Sequence, residues 1–376
     1  MTRVLLLRGV DEGRSMERFA DELERRLRAR AAFAVAATTV RPRRIGARLG
    51  VPALDRYVSR YVRYPLAVRG LAADVYHITD GAYGHLAAVL PPARTVATCH
   101  DLMLLRAVEG GAGFQGRPLS VRRYRWSVSF LRRIRHVVCS SESTRTDVIR
   151  LVGVPPERTS VVPPGVASRF RPLADDERRR LRGELDLDGR HVVLHVSTGL
   201  PYKNVPATLR VLAALREQGY AATLLRAGEP LTAIEGELAR ELRVDEHVLD
   251  LGRVSDERLI ELYNIADVLV FPSYHEGFGW PPLEAMACGT PVVVSESAPL
   301  AEVVGSAALT APADDAAALA ERVTRLLDSP ELAAALRARG LERAARFSWQ
   351  RTLDGYANVY RQVACAPTVS ARAEGG

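Results

Sequence analysis

Lysine is almost absent from this chain of 376 residues. A single lysine, Lys203, stands among 52 basic residues, and all the others are arginines. The general preference for arginine fits a gene of high GC content. That preference does not explain why the one exception lies where it does, so the surroundings of Lys203 require a separate explanation.

Cysteine and long apolar runs are also scarce. Four cysteines show no paired spacing, which predicts free thiols in a reducing cytoplasm: Cys99, Cys139, Cys288 and Cys365. No apolar run approaches the ~20 residues of a membrane span, and Val4–Leu7 is too short to form the core of a signal peptide. With 47% hydrophobic and 26% charged residues, we expect a cytoplasmic globular protein of two domains.

Charge is unevenly distributed between the two halves. Residues 1–172 contain 30 arginines and 14 acidic residues, a net charge of +16, whereas the remainder carries −8. This asymmetry predicts two domains with different partners. Because the second half is acidic and no basic–aromatic recognition module is present, the sequence argues against binding to nucleic acid.

Two segments of the basic half combine arginine with aromatic residues. The first, "DRYVSRYVRYPLAVRG", spaces its arginines along one helix face beside tyrosines: Arg56, Arg60 and Arg63, with Tyr57, Tyr61 and Tyr64. The second, "SVRRYRWSVSFLRRIR", places its arginines opposite an apolar stripe: Arg122, Arg125, Arg132 and Arg133, opposite Val121, Tyr124, Val128, Leu131 and Ile134. An ordinary solvated helix face explains the second segment alone. Together they predict an anionic acceptor or peripheral contact with an anionic inner membrane face.

Short apolar runs alternate with amphipathic helices along the chain, which is typical of buried parallel strands. The predicted strands are Val4–Leu7, Val75–Ile78, Thr95–Thr98, Val137–Ser140, Ser160–Val162, Val192–Val196, Ala222–Arg226, Val248–Leu251, Val268–Phe271 and Val292–Ser295. The pattern restarts after a polar stretch that begins near Phe170. We predict α/β domains over residues 1–172 and 173–350, a C-terminal helix over 351–365 that packs back on the first domain, and a disordered tail over 366–376. Two doubly wound domains in tandem leave a ligand cleft at the carboxyl ends of their strands.

One stretch, "YHEGFGWPPLEAMACGTPVVVS", concentrates polar chemistry at a strand end. Its prolines predict the start of a helix, with Glu276 on the loop before it, Glu284 one turn inside it and Gly289 just beyond its end. Glycines expose backbone amides beside a helix N-terminus, a site suited to anions: Gly277, Phe278 and Gly279. Two carboxylates there can accept sugar hydroxyls. A favourable interaction of Glu284 with the helix dipole is the structural alternative, and for either glutamate taken alone a purely structural role is the better explanation.

The passage from Phe271 to Gly305, "FPSYHEGFGWPPLEAMACGTPVVVSESAPLAEVVG", resembles the signature of glycosyltransferase family 4, retaining nucleotide-sugar transferases of the GT-B fold. Four other passages resemble family segments and occur in the family's order: "VATCHDLM", "VVCSSESTRTDVIRLVGVPPERTSVVPPGV", "HVSTGLPYKNVPATLRVLAAL" and "VLDLGRVSDERLIELYNIADVLVFPS". The resemblance implies two Rossmann-like domains facing across a cleft, the first binding the acceptor and the second the nucleotide sugar.

The resemblance also assigns roles to particular residues. It implies that Glu276 and His100 act at the donor sugar, and that Lys203, beside a helix N-terminus, binds the diphosphate. Many family members have an arginine six residues before this lysine, where Ser197 stands here, so we expect help from the hydroxyl of Ser197 or Thr198 and from an arginine elsewhere. The other implied donor contacts are Gly13, Arg253, Val254, Gly277, Phe278, Gly279 and Glu284.

Two further motifs are weaker than they look. "GAGFQG" (residues 111–116) spells a dinucleotide fingerprint, but no strand ends at it, so we interpret it as a loop near the acceptor. "DLD" (Asp186 to Asp188) spells a metal-binding triplet, but it precedes a strand instead of following one. We therefore expect no metal and no cofactor, with the charge of the leaving diphosphate met by Lys203 and helix N-termini.

The resemblance implies a retaining hexosyltransferase acting in surface polysaccharide or glycolipid synthesis. The donor is a nucleotide sugar, with GDP-mannose favoured, and the acceptor is a glycan or a lipid-linked sugar. Two alternatives stay open: a phosphorylase or epimerase of the same fold, and a non-catalytic partner that binds nucleotide sugar and stabilises another transferase.

Overall fold

The computed structural model describes residues 1–9, 14–39, 52–106 and 118–365. The predictions for Gly13, for the loop 111–116 and for the tail 366–376 lie outside these ranges. Two compact units are present: one runs to Pro164 and resumes at Gln350, and the other is Gly165–Trp349. None of the helices in the described part of the chain combines the length and apolar character that a membrane crossing needs.

The first unit contains a parallel sheet of six strands in the order β2-β1-β3-β4-β5-β6. Its strands are β1 Thr2–Leu7, β2 Phe33–Thr38, β3 Val75–Ile78, β4 Thr95–Cys99, β5 His136–Cys139 and β6 Thr159–Val161. Its helices include α1 Arg14–Arg28, α2 Pro52–Val58, α3 Tyr64–Val68, α4 Met103–Arg106, α5 Pro118–Ser129 and α6 Glu142–Asp147. Strands β3 and β4 are buried along their whole length, as continuous apolar runs predict for a sheet covered on both faces.

The second unit repeats this architecture with six parallel strands in the order β12-β11-β10-β7-β8-β9. Its strands are β7 His191–Ser197, β8 Ala222–Gly228, β9 Val248–Asp250, β10 Val268–Phe271, β11 Val292–Ser295 and β12 Leu309–Ala311. Its helices are α7 Asp175–Gly183, α8 Val205–Glu217, α9 Ala233–Glu241, α10 Asp256–Ile265, α11 Trp280–Ala287, α12 Ala298–Val304, α13 Ala316–Asp328 and α14 Pro330–Ala345.

Each of the ten predicted strands overlaps an observed strand and is thereby confirmed. The sequence did not predict β2 and β12, which are edge strands of the two sheets. Strand β2 is half alanine, a residue depleted in strands, and β12 is only three residues long. Neither forms the long, buried apolar run by which the central strands are recognised.

The strand order of the second sheet reverses between β7 and β10. The chain adds β8 and β9 on one side of β7, then returns to pair β10 with its other side and continues outward to β11 and β12. The carboxyl ends of β7 and β10 therefore lie side by side, at Ser197 and Phe271. In doubly wound sheets ligands bind at such a reversal, outside the carboxyl ends of the strands.

The last helix, α15 Trp349–Ala364, packs on the first sheet through a buried polar cluster. Tyr360 Oη lies 2.7 Å from His77 Nδ1, His77 Nε2 lies 2.8 Å from Thr98 Oγ1, and Thr98 Oγ1 lies 2.7 Å from Tyr356 Oη. Burial lowers the pKa of His77 to about 3, so its ring is neutral. The helix is thus fixed to β3 and β4 by a satisfied hydrogen-bond network.

The first arginine–tyrosine segment forms α2 and α3, joined by a π-helical turn at Ser59–Arg63. Tyr64 is fully buried, with its hydroxyl 2.7 Å from the carbonyl of Arg8. The Arg60 guanidinium lies 4.0 Å from the centroid of the Tyr83 ring and donates to the carbonyl of Ala82. The prediction that Arg60 and Tyr64 belong to an anion-binding surface was therefore wrong, because packing turns both side chains inward.

Candidate functional site

The loops that follow β7 and β10 bring Lys203 and Glu276 together. Lys203 ends a short 3-10 turn, Pro201–Lys203, and Glu276 lies on the loop between β10 and α11. Lys203 Nζ is 2.6 Å from Glu276 Oε1, and the two side chains are only 11% and 9% exposed. The strand-order reversal thus holds a buried ion pair whose members come from two different βα units.

Aromatic rings and a helix cap fix the position of Lys203. Its Nζ lies 5.1 Å from the ring centroids of both Tyr202 and Phe271, a distance at which a cation is attracted to an aromatic face. The next residue, Asn204, adopts a left-handed conformation (φ 55°) and caps α8 by accepting from the amide of Ala207. The lysine charge is therefore held next to the N-terminus of a helix, where anions are favoured.

The glycine loop before α11 forms as predicted in outline. Gly279 is the N-cap of α11 at φ 111°, and a Cβ atom there would lie 2.6 Å from Leu300 Cδ2, so only glycine fits. Gly289 follows the helix at φ 78°, the conformation predicted for its end. Phe278 is 8% exposed and meets Phe347 edge-on, so its side chain belongs to the core of the unit. Donor contacts from the backbone of Gly277, Phe278 and Gly279 stay predictions.

Glu284 is buried inside α11 and oriented by a tyrosine. It is 4% exposed, and its Oε2 accepts a hydrogen bond of 3.0 Å from the hydroxyl of Tyr263, which is itself fully buried. A charge-assisted bond of this kind fixes the carboxylate more firmly than a helix dipole alone would. Glu284 is therefore a preorganised acceptor on the helix that follows the Glu276 loop.

Ser197 is engaged by a histidine that the sequence did not single out. His195 is fully buried, and its Nδ1 lies 3.1 Å from the carbonyl of Val270, which can only accept. Nδ1 therefore carries the proton, and Nε2 accepts from the Ser197 hydroxyl at 2.8 Å. Burial lowers the pKa of His195 to about 3 and keeps the ring neutral. The Ser197 hydroxyl thus already donates its proton to His195. Thr198, in contrast, is exposed. Contacts of either hydroxyl with a phosphate stay predictions.

Arg253 and Val254 lie in the turn between β9 and α10. The Arg253 side chain is 72% exposed, and its Nε donates to Glu229 Oε1 at 2.7 Å. Val254 packs against the hydrophobic core of the second unit. Gly252, at φ 60°, accepts from the amide of Gly228 at 2.8 Å and ties this turn to the end of β8. The turn that carries these two implied donor contacts is therefore held in place by the neighbouring strands, and the contacts themselves stay predictions.

His100 lies in the first unit, directly after β4. It is 9% exposed, its Nε2 lies 3.0 Å from the carbonyl of Thr79, and its ring meets that of Phe19 edge-on at 4.8 Å. Since a carbonyl only accepts, Nε2 carries the proton. Burial lowers the pKa of His100, so the ring is neutral near pH 7. The structure thus gives His100 a defined tautomer and orientation.

Three other charged or polar side chains at the second sheet were missed by the sequence reasoning: His195, Arg226 and Asp250. A signal existed, because His195 and Arg226 interrupt otherwise apolar strands, "HVVLHVS" and "ATLLRAG". Fully buried polar residues inside strands require partners, and such interruptions often mark function. The Asp-Leu-Asp triplet, in contrast, lies before the amino end of β7, whereas Lys203 follows its carboxyl end.

The two parallel sheets and the charged pair at a strand-order reversal define a two-domain α/β protein of the Rossmann-like kind. Residues 16–170 match the profile of Glycosyltransferase Family 4, and residues 177–343 match that of Glycosyl transferases group 1. A D-inositol 3-phosphate glycosyltransferase of Acidothermus cellulolyticus is 32% identical over 302 residues, covering 77% of this chain and 67% of the relative. The chain therefore belongs to this glycosyltransferase family.

Two further comparisons agree with this assignment. O-antigen chain mannosyltransferase B of Escherichia coli is 31% identical over 232 residues, which cover 60% of each protein. The crystal structure of Anabaena HepE in complex with UDP and glucose superposes with a TM-score of 0.78 at 18% identity, over 96% of this chain and all of that one. The fold is therefore GT-B, and the protein is a glycosyltransferase.

Proposed function

We propose that the protein transfers a hexose from a nucleotide sugar, with GDP-mannose as the first candidate, to a glycan or lipid-linked acceptor with retention of configuration. The observation that carries the proposal is the Lys203–Glu276 pair at the reversal of the second sheet, since it places a cation suited to a diphosphate beside a carboxylate suited to sugar hydroxyls. The mannosyltransferase among the relatives supports the choice of sugar. Its name refers to O antigen, which supports a role in surface polysaccharide synthesis.

Charge decides how the pair would act on a donor. Lys203 offers a compact positive charge to the diphosphate, and its attraction to phosphate frees the Glu276 carboxylate to accept sugar hydroxyls. During transfer the bond from the anomeric carbon to the phosphate oxygen breaks. The acceptor oxygen bonds to that carbon on the same face, and the acceptor proton passes to the leaving phosphate. A carboxylate beside the sugar stabilises the positive charge that develops at this stage.

The second carboxylate and the histidine have separate tasks in this proposal. Glu284, held by Tyr263, accepts from the ribose hydroxyls and so contributes to binding of the nucleotide. His100, neutral and donating through Nε2 to the Thr79 carbonyl, presents Nδ1 as an acceptor for a hydroxyl of the transferred sugar. Neither group needs to change its protonation state during the reaction.

The two glutamates should fail differently when substituted. Glu276→Gln keeps the side-chain volume but loses the charge that stabilises the transition state, so kcat should fall on the order of 100-fold with little change in donor KM. Glu284→Ala should mainly raise the donor KM and weaken binding of the free nucleoside diphosphate. Steady-state kinetics with the donor identified by screening measures both effects.

A matched control for these variants is Glu241→Gln, an exposed glutamate at the end of α9, which should keep wild-type kinetics. Full activity of Glu276→Gln on the natural acceptor would remove Glu276 from the reaction. A donor that is bound but never transferred by the wild-type protein to any acceptor would favour the non-catalytic alternative.

We also propose that transfer needs no metal ion. Among the described residues, no group of three or more histidine, cysteine or carboxylate side chains is arranged to hold one. Asp186 and Asp188 lie before β7, away from the carboxyl ends of the strands. Turnover should therefore persist in excess EDTA, measured as sugar transferred per enzyme. Activity that is abolished by the chelator and restored by manganese would contradict this proposal.

An anionic membrane surface is the partner that we propose for the basic first unit. Helices α2, α3 and α5 and the turns beside them expose large apolar side chains: Leu54, Tyr57, Val62, Leu66, Leu119 and Trp126. The rings of Tyr61 and Trp126 lie 6.0 Å apart, so the helices are neighbours. Residues 118–135 contain no acidic residue. Exposed arginines lie between these apolar side chains: Arg56, Arg122, Arg123 and Arg125. Protruding apolar groups among arginines suit an anionic bilayer interface.

Sedimentation with vesicles tests this partner. The wild-type protein should pellet with vesicles containing phosphatidylglycerol and stay in solution with phosphatidylcholine alone, because the arginines attract anionic lipid. Leu119→Ser and the pair Arg122→Glu with Arg125→Glu should each reduce binding several-fold. Ile234→Ser, which removes an even more exposed apolar side chain from the second unit, is the control and should bind as the wild type does. Equal binding by the doubly charge-reversed variant would contradict the proposal.

A further inference from the structure

Arg226 is a buried charge that packing does not explain. It lies on β8, is fully inaccessible to solvent and has the largest side chain among the completely buried residues. In the parallel register it is the direct neighbour of His195 on β7. A guanidinium in this position opposes folding unless its hydrogen-bonding groups find partners.

Only one of its three nitrogens has partners among the described residues. Nη1 donates to the carbonyl of Glu229 at 2.5 Å and lies 3.4 Å from both carboxylate oxygens of Asp250. Nε and Nη2 are buried and contact no acceptor in the described part of the chain. These two nitrogens form one edge of the guanidinium, the geometry that binds an oxyanion through two parallel hydrogen bonds.

The guanidinium ends next to the strand end that carries Ser197. The amide of Glu229, whose carbonyl accepts from Arg226, donates to the carbonyl of Ser197 at 3.2 Å. Arg226 and Lys203 both act on the ring of His195, where each positive charge adds to the effect of burial in lowering its pKa. The two cations therefore act on the same imidazole, Lys203 from the loop after β7 and Arg226 from the neighbouring strand.

We propose that Arg226 is a second cation for the diphosphate of the donor and that its Nε–Nη2 edge binds a phosphate oxygen. This inference rests on the proposed function. Arg226 would thus provide from β8 the positive charge that many family members provide through an arginine on β7, at the position where Ser197 stands here. Since the edge is covered, the loops after β7 and β8 must separate when the diphosphate binds.

A purely structural role makes the opposite prediction for stability. If Arg226 served only to hold Asp250 and the Glu229 loop, then Arg226→Met would lower stability. If it is kept for an anion, Met should be neutral or stabilising, because an apolar side chain of similar size replaces a buried charge with unpaired donors. Asp250 tolerates the loss, since it also accepts from the amides of Leu231 and Gly252.

Calorimetric titration of GDP and UDP into the full chain, with guanosine and uridine as competitors, tests the proposal. In Arg226→Met the Kd of the diphosphate that the wild type binds should rise at least tenfold. The affinity for its nucleoside and the urea midpoint should not fall. Arg226→Lys, which keeps the charge but not the two-donor edge, should weaken diphosphate binding several-fold.

Arg182→Met is the matched control. Arg182 is paired with Asp267 at 2.8 Å, just before the amino end of β10 and so away from the carboxyl ends of the strands. Its loss should lower the urea midpoint and leave diphosphate affinity within twofold. Wild-type diphosphate affinity in Arg226→Met would overturn the inference about Arg226 alone. Equal losses of nucleoside and diphosphate affinity together with a lower urea midpoint would assign Arg226 to loop support. A wild-type protein that binds neither diphosphate would overturn the proposed function as well.

Discussion

The ion pair between Lys203 and Glu276 is the interaction on which this account of the second unit depends. Two opposite charges 2.6 Å apart, each about one-tenth exposed, have lost most of their hydration. The effective penalty for burying each ion is several kcal/mol, so such a pair adds little stability over an apolar pair of the same size. Its position at the reversal of the sheet, next to a helix N-terminus, makes binding of a charged ligand the better explanation. The Asn204 cap fixes the loop after β7, and Gly279 fixes the end of the loop after β10.

The pair also connects the two halves of a nucleotide-sugar donor in the proposed function. A diphosphate attracts Lys203 and repels Glu276, so its arrival replaces the contact between the two side chains by contacts to the ligand. The carboxylate is then released at the place where the sugar lies. Binding and chemistry would thus be coupled by a single exchange of partners, and the coupling would need no metal ion. Arg226, on the neighbouring strand β8, would add a second positive charge that attracts the diphosphate.

Much of the fold could be predicted from the sequence, because buried parallel strands leave a continuous apolar signal. The backbone geometry of the Glu276 stretch was also predictable, since prolines and glycines set local backbone geometry whatever the surroundings are. The environments of individual side chains could not be predicted in this way. Tyr64 and Arg60 share a helix face with exposed residues in any helical projection, yet tertiary packing buries Tyr64 and turns Arg60 onto the Tyr83 ring and the Ala82 carbonyl. The hydrogen bond from Ser197 to His195 depends on the pairing of β7 with β10, which brings the Val270 carbonyl to the ring and which no local pattern encodes.

The most direct measurement of the central claim is the thermal stability of the protein with a panel of nucleotide sugars, compared between the wild type and Lys203→Ala. A ligand that binds only the folded state stabilises it by about 2.7 kcal/mol at 100 times its Kd. The account predicts that one nucleotide sugar, with GDP-mannose the first candidate, raises the wild-type Tm by a few degrees and that this rise is largely lost in Lys203→Ala. Equal shifts in the two proteins would show that the donor binds elsewhere, and no shift with any member of the panel would contradict the account as a whole.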